Sequence, residues 1–187
     1  LRVENNLATR LGLESIYSII DAEPGSYQDH FAVMTKVWNR IKSTTQMSSS
    51  DFAKQYVVRD FLNLIFGNSD NHGRNISFLK YDGDIQFAPI YDFAPMKADP
   101  EMITRLFKWG KQCETGGQVN FELVANQLTD FCEPLELTTF LKKIADKLYE
   151  LPTLLEQLNC PEEILNFPAI GFYNIKNKLV EMGVYNA

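Results

Sequence analysis

The chain alternates between helical and strand-like hydrophobic spacing, and the changes of period divide it. Phe31, Met34, Val37, Trp38 and Ile41 recur at intervals of three and four, which predicts one buried helical face over Tyr27 to Ile41. Ala53, Val57, Phe61, Leu64 and Ile65 form a second such stripe. Ser48, Ser49, Ser50 and Asp51 offer N-cap oxygens before it, and Gly67 offers a left-handed stop after it. The pattern then turns polar, from Asn68 to Asn75. Period two follows, with Ile76 and Phe78, the turn pair Asp82-Gly83, then Ile85 and Phe87, which predicts a hairpin. Helical spacing returns at Leu137, Phe140, Leu141, Ile144 and Leu148, and again at Ile170, Ile175, Leu179 and Met182 before Gly183. Pro152, Pro161 and Pro168 fall where helices start or link. At the N-terminus a short helical piece is expected around Leu7 to Leu11, then a loop reaching Pro24-Gly25. The expected fold is mainly α, with one small β-hairpin flanked by two polar, acid-containing loops.

Composition narrows this only modestly. The 187 residues suffice for one well-packed domain, so residues 1–187 read as a single lobe. A hydrophobic fraction of 45% and a charged fraction of 22% are ordinary globular usage. The net charge of −6 argues against broad clamping of nucleic acid. Cys113, Cys132 and Cys160 lack metal-ligand spacing and are too sparse for a disulfide framework, which predicts a reducing compartment and unremarkable thiols. No apolar run approaches the ~20 residues that span a bilayer, and no signal peptide is visible. A soluble, cytoplasmic location with no membrane contact is expected.

The candidate chemistry lies in the polar segment. Asp70 and Asn75 form D-x-x-x-x-N, and Asp92 follows across the hairpin within Tyr91-Asp92-Phe93. In phosphoryl transfer, one carboxylate orients a hydroxyl nucleophile while an amide and a second carboxylate hold magnesium against the triphosphate. Protein kinases use the same step from catalytic Asp to Asn, then a metal-binding Asp. Oxygen ligands suit magnesium. Each residue also has a plainer reading: Asp70 as a turn residue, Asn75 as a loop brace, Asp92 as a surface turn. His72 suits a role in shaping the loop; zinc is disfavoured, since the other histidine is His30, an ordinary helix residue on this reading. Asp82 and Asp84 read as turn residues. Lys108 and Lys111, around Trp109, read as a solvated face.

The run Phe61 to Asn75 resembles the segment of the HipA family that ends in D-x-H-x-[KR]-N, and Ala88-Pro89-Ile90-Tyr91-Asp92 resembles its [TA]-P-x-Y-D element. HipA-like proteins are bacterial Ser/Thr kinases, commonly toxins of toxin–antitoxin pairs, with a largely helical C-terminal lobe. The resemblance implies that Asp70 is the catalytic base and that Asn75 and Asp92 bind magnesium. It places His72, Gly73, Arg74, Asn75, Tyr91 and Asp92 around ATP. It further implies a protein substrate, for which the family's aminoacyl-tRNA synthetase targets are the example. The implied partner is a HipB-like helix-turn-helix antitoxin, which would bring DNA only indirectly.

The chain departs from a complete kinase in one respect. It contains no G-x-G-x-x-G and no Walker-type phosphate loop. Gly110 to Gly117 is the nearest glycine cluster, but it comes after the catalytic loop. The phosphate-cradling N-terminal lobe is therefore expected outside these residues, and the chain alone is expected to be inactive. Two other functions fit the residues. A small-molecule, aminoglycoside-type phosphotransferase also uses D-x-x-x-x-N, though typically with His-Gly where Asn68-Ser69 stand here. A non-catalytic lobe that docks an antitoxin or regulator would need no phosphate loop.

Overall fold

The computed structural model describes residues 2–4 and 7–185. Its elements run β1 (Arg2–Glu4), β2 (Leu7–Thr9), β3 (Gly12–Ser15), α1 (Ile16–Ile19), β4 (Gln28–Asp29), α2 (His30–Ile41), α3 (Ser49–Phe66), β5 (Ser77–Tyr81), β6 (Asp84–Phe87), a 3-10 turn (Met96–Ala98), β7 (Phe107–Lys108), β8 (Glu114–Thr115), β9 (Gln118–Val119), α4 (Phe121–Gln127), α5 (Pro134–Leu148), α6 (Leu151–Gln157), α7 (Glu162–Leu165) and α8 (Ile175–Glu181).

Helix α3 is the central rod. Ser48 accepts the N–H of Asp51, and Gly67 ends the helix at φ 71°, as the sequence predicts. Its stripe is sealed: Ala53, Val57, Phe61 and Ile65 are all fully buried. Burial of a Phe or Ile side chain contributes roughly 1.5–3 kcal/mol, so this stripe anchors whatever the helix carries at its end. Gly67 could not be replaced cheaply, because a Cβ there would lie 2.8 Å from Ile170. Helix α5 packs Leu137, Leu141 and Ala145 inward, and α8 buries Ile175 and Leu179. No helix among the described residues is long and apolar enough to cross a membrane.

The hairpin β5–β6 forms in the expected register, with Phe78 opposite Phe87 and Lys80 opposite Ile85. Asp82 and Gly83 turn it with φ of 49° and 80°, both left-handed, which matches the strand twist. Asp84 also accepts the Gln46 N–H at 2.8 Å, a structural role.

Three expectations need correction. The fold is mixed rather than mainly α, at 45% helix and 12% strand. Nine short strands occur among the described residues. The Leu7 to Leu11 segment is not helical: β2 pairs antiparallel with β1, and β3 then adds to β5, making a three-stranded sheet in the order β3-β5-β6. The β3–β5 pairing joins segments far apart in the chain, so local periodicity carries no trace of it. Finally, His30 is a core residue. It is 1% exposed, stacks on Trp109 at 4.4 Å and meets the Tyr56 hydroxyl at 2.9 Å. Trp109 is buried with it, while Lys108 and Lys111 are exposed as expected.

Candidate functional site

The polar loop grows directly from the C-terminus of α3. Asn63 and Asn68, both buried, pair through their amides at 3.0 Å, and Asn68 Oδ1 accepts the Asp70 N–H at 3.1 Å. This local turn, with the left-handed Gly67 before it, throws Asp70 clear of the helix. Its side chain retains a quarter of its exposure.

Asp70, His72 and Asn75 are brought together. His72 Nδ1 accepts the Arg74 N–H at 3.3 Å, so in the neutral ring the proton sits on Nε2. Nε2 faces Asp70 Oδ1 at 3.3 Å. From the other side Asn75 Nδ2 donates to the Asp70 carbonyl at 2.9 Å and approaches Asp70 Oδ2 at 3.4 Å. The five-residue step thus closes the loop on itself and orients one carboxylate. The loop-shaping reading of His72 has this geometry behind it.

Gly73 is buried, and its carbonyl accepts the Tyr17 N–H at 3.3 Å. A Cβ on Gly73 would lie 2.9 Å from both the Tyr17 and the Phe107 rings. Gly73→Ala is therefore expected to cost about 1–3 kcal/mol through overpacking, read as a lowered urea midpoint; an unchanged midpoint would show that the rings yield freely. Arg74 is exposed, and its carbonyl accepts a short hydrogen bond from the Tyr91 hydroxyl, which also meets Ser77 Oγ at 2.6 Å. Tyr91 therefore ties the loop to the segment after β6.

That segment carries Asp92. Arg59, on α3, donates to the Ala88 carbonyl at 2.9 Å and lies over the Phe87 ring at 4.3 Å. Burial pushes its guanidinium down to about 10. Arg59 and Tyr91 thus bind the Asp92 segment to the helix and to the loop. Together with Asn63, Asn68, Asn75 and Ser77 they line a small polar cavity of about 20 Å³ behind the loop. Asp92 itself is exposed, at φ 51°, a left-handed conformation that Asp tolerates better than most residues. Phe93, next in the chain, packs edge-on against Phe66 at 5.4 Å.

The donor chemistry suits a hard cation. Both hydrogen bonds of Asn75 use Nδ2, leaving Oδ1 available, and the Asp92 carboxylate has no hydrogen-bond partner among the described residues. An amide oxygen and a carboxylate are ligands that magnesium accepts while keeping waters and phosphate oxygens in its other positions. Among the described residues no cluster of three or more His, Cys, Asp or Glu could hold a metal. Zinc has no candidate cage there. The glycines near Gly110 to Gly117 are accounted for otherwise: Gly116 and Gly117 turn the β8–β9 pair at φ 60° and 81°.

One layer of the site escaped the sequence reading. Asn71, inside the loop, is buried and donates to Asp60 Oδ1 at 3.2 Å and to the Phe107 carbonyl at 2.8 Å. Its Oδ1 accepts the N–H groups of Leu106 and Phe107 at 3.2 and 3.3 Å. Asp60, 1% exposed, receives both Arg105 Nη atoms at 3.0 Å and Trp109 Nε1 at 2.8 Å. Glu114 Oε2 accepts the Trp109 N–H at 2.8 Å and faces Arg105 Nη2 at 3.4 Å. Burial alone would push the Asp60 carboxyl up, but the Arg105 charge and nearby His30 hold it well below the usual carboxylate range. The signal for this layer was an Asp on the apolar side of a helical stripe, one residue before Phe61.

A loop rooted on a buried helix carries an oriented Asp and an adjacent Asn, with a second Asp beyond a hairpin. The chain belongs to the HipA-like C-terminal domain family, which matches residues 2–152. Among solved structures it is similar to a chain of the Shewanella oneidensis MR-1 toxin–antitoxin complex of HipA, HipB and operator DNA, with a TM-score of 0.62 at 15% identity. The match covers 100% of this chain and 49% of that one, so the chain spans about half of its structural relative. No curated protein sequence matches it.

Proposed function

We propose that this chain is the catalytic-loop lobe of a HipA-like Ser/Thr protein kinase that transfers phosphate from ATP to a protein hydroxyl. The observation that carries the reading is the pairing within the loop. His72 and Asn75 orient the Asp70 carboxylate, while Asn75 Oδ1 and the exposed Asp92 carboxylate carry no hydrogen bond among the described residues. In this scheme Asp70 takes the proton of the attacking hydroxyl, which requires a carboxylate fixed in direction and partly open to solvent. Asn75 and Asp92 would hold magnesium, which would supply neutralising charge for the transferred phosphate. His72, Gly73, Arg74 and Tyr91 shape the nucleotide side, mainly through main-chain positions. The phosphate loop and its lysine come from an N-terminal lobe outside these residues. The family assignment and the solved HipA–HipB–DNA complex support a HipB-like antitoxin as partner.

The test is transfer from γ-labelled ATP by the full-length protein, followed by phosphoamino-acid analysis. Labelled phosphoserine or phosphothreonine is expected in the wild type. Asp92→Asn keeps a residue that tolerates left-handed backbone but weakens the metal ligand, so transfer should fall by about 10²-fold or more at low magnesium. Label on a small alcohol and on no protein would instead establish the phosphotransferase reading. Absence of transfer in any form would leave the lobe a docking module.

A further inference from the structure

A second cavity, of about 240 Å³, lies against the end of α3 at Leu64 and shares no lining residue with the cavity behind the candidate site. Its walls come from the β8–β9 turn, the Pro168–Gly171 turn and α8. Two lysines point into it. Lys97 Nζ donates to the Ala169 carbonyl at 3.2 Å, and Lys178 Nζ donates to the Ile170 carbonyl at 2.9 Å. Their partners are consecutive peptide carbonyls, so both ammonium groups are held by the same turn in the wall of one cavity. Neither has a carboxylate within ion-pair distance among the described residues. The one carboxylate in the wall, Glu181, is exposed at the rim.

Two half-buried cations in one cavity wall, with only the exposed Glu181 carboxylate partly offsetting Lys178, are costly to hold together. The cost is visible in both groups. Burial and the Lys97 charge push Lys178 down to about 8, and burial also lowers Lys97. Lys178 is accounted for structurally, since its three donors go to the Leu64, Ile65 and Ile170 carbonyls and close the end of α3. Lys97 is not. It spends one donor and leaves two facing the cavity.

We infer that this cavity binds a small phosphorylated molecule, whose phosphoryl group takes the free donors of Lys97 beside the Lys178 charge. A phosphate monoester carries close to two negative charges at neutral pH and so matches both ammonium groups, whereas one carboxylate would match only one. The volume is below that of sites for drug-sized ligands, which favours a smaller ligand than a nucleoside triphosphate. Val119, Ile170 and Met182 supply apolar wall for a short organic body. The site bears on the catalytic loop mechanically, because the Lys97 N–H donates to the Gly67 carbonyl at 2.8 Å, at the loop's root.

Equilibrium dialysis of radiolabelled inorganic phosphate against the full-length protein, at constant ionic strength, tests this. Saturable binding is expected in the wild type and unchanged in Asp92→Asn, which separates this cavity from the proposed magnesium site. Lys97→Met should weaken binding about tenfold or more, and Lys97→Arg should restore most of it. Glycerol phosphate should compete with the label. In the wild type, phosphate should also slow acetylation of Lys97, a readout that needs no variant. Absence of saturable binding, binding unaltered by Lys97→Met, or loss of binding in Asp92→Asn would each overturn the assignment.

Discussion

Asp70→Asn in the full-length protein is expected to lower phosphate transfer by about 10²–10⁴-fold, the usual worth of a general base, while leaving the fold in place. The substitution is close to isosteric. Asn retains an oxygen for His72 Nε2, and the contacts at stake are a 3.3 Å approach and a 3.4 Å approach on a partly exposed group. Such interactions contribute at most about 1 kcal/mol, so thermal unfolding should move little. The comparison is informative because the two effects separate. Loss of transfer with an unmoved melting curve assigns Asp70 to the chemistry, and equal transfer in both proteins removes it from that role. ATP affinity should be nearly unchanged, since the proposed nucleotide contacts lie on the neighbouring residues.

The second large effect belongs to the buried layer under the loop. Arg105→Met is expected to destabilise the protein by about 3–5 kcal/mol, because it leaves Asp60 and Glu114 as buried carboxylates without their shared cation. Asp60 keeps its bonds from Trp109 and Asn71, but neutral donors do not replace a bidentate guanidinium. The sign of the pH dependence follows from the depressed Asp60 pKa. In the wild type its contribution is fully present above the ordinary carboxylate range and is lost only as pH falls below about 4. Without Arg105, burial is opposed only by His30 and the neutral donors, so the carboxyl is expected to move up and protonation relieves the variant as pH falls. The deficit should therefore be largest at neutral pH and shrink toward pH 5. Urea unfolding at both pH values measures it, and a deficit below about 1 kcal/mol at neutral pH would refute the account. Arg105→Lys, which keeps the charge and loses the fork, should fall between the two.

This network ties the loop to the core from below. Asn71 lies between the residues that face the candidate site, yet its own side chain points inward and spends its amide on Asp60 and the β7 backbone. Weakening the Asp60–Arg105 pair therefore loosens the loop from below.

Much of this was legible in the residues alone. The stripe from Ala53 to Ile65, its serine cap and its glycine stop define α3, because helix periodicity and capping are local properties. Asp82-Gly83 defines the hairpin for the same reason. The closeness of Asp70 to Asn75 also follows from the short chain between them. What tertiary structure alone decided depends on partners distant in sequence. Strand β3 exists because β5 offers it a ladder, so Gly12–Ser15, which reads as loop, is extended. His30 and Trp109 are core because they stack on each other across the chain. Asp60, Arg105 and Glu114 are unremarkable as single letters and become one charged unit only when α3, β7 and β8 pack together. The pairing of Lys97 with Lys178 likewise arises from the turn between them. Sequence determines what each segment can do by itself; only packing decides which charges must share a dry interior, where their interaction is strongest.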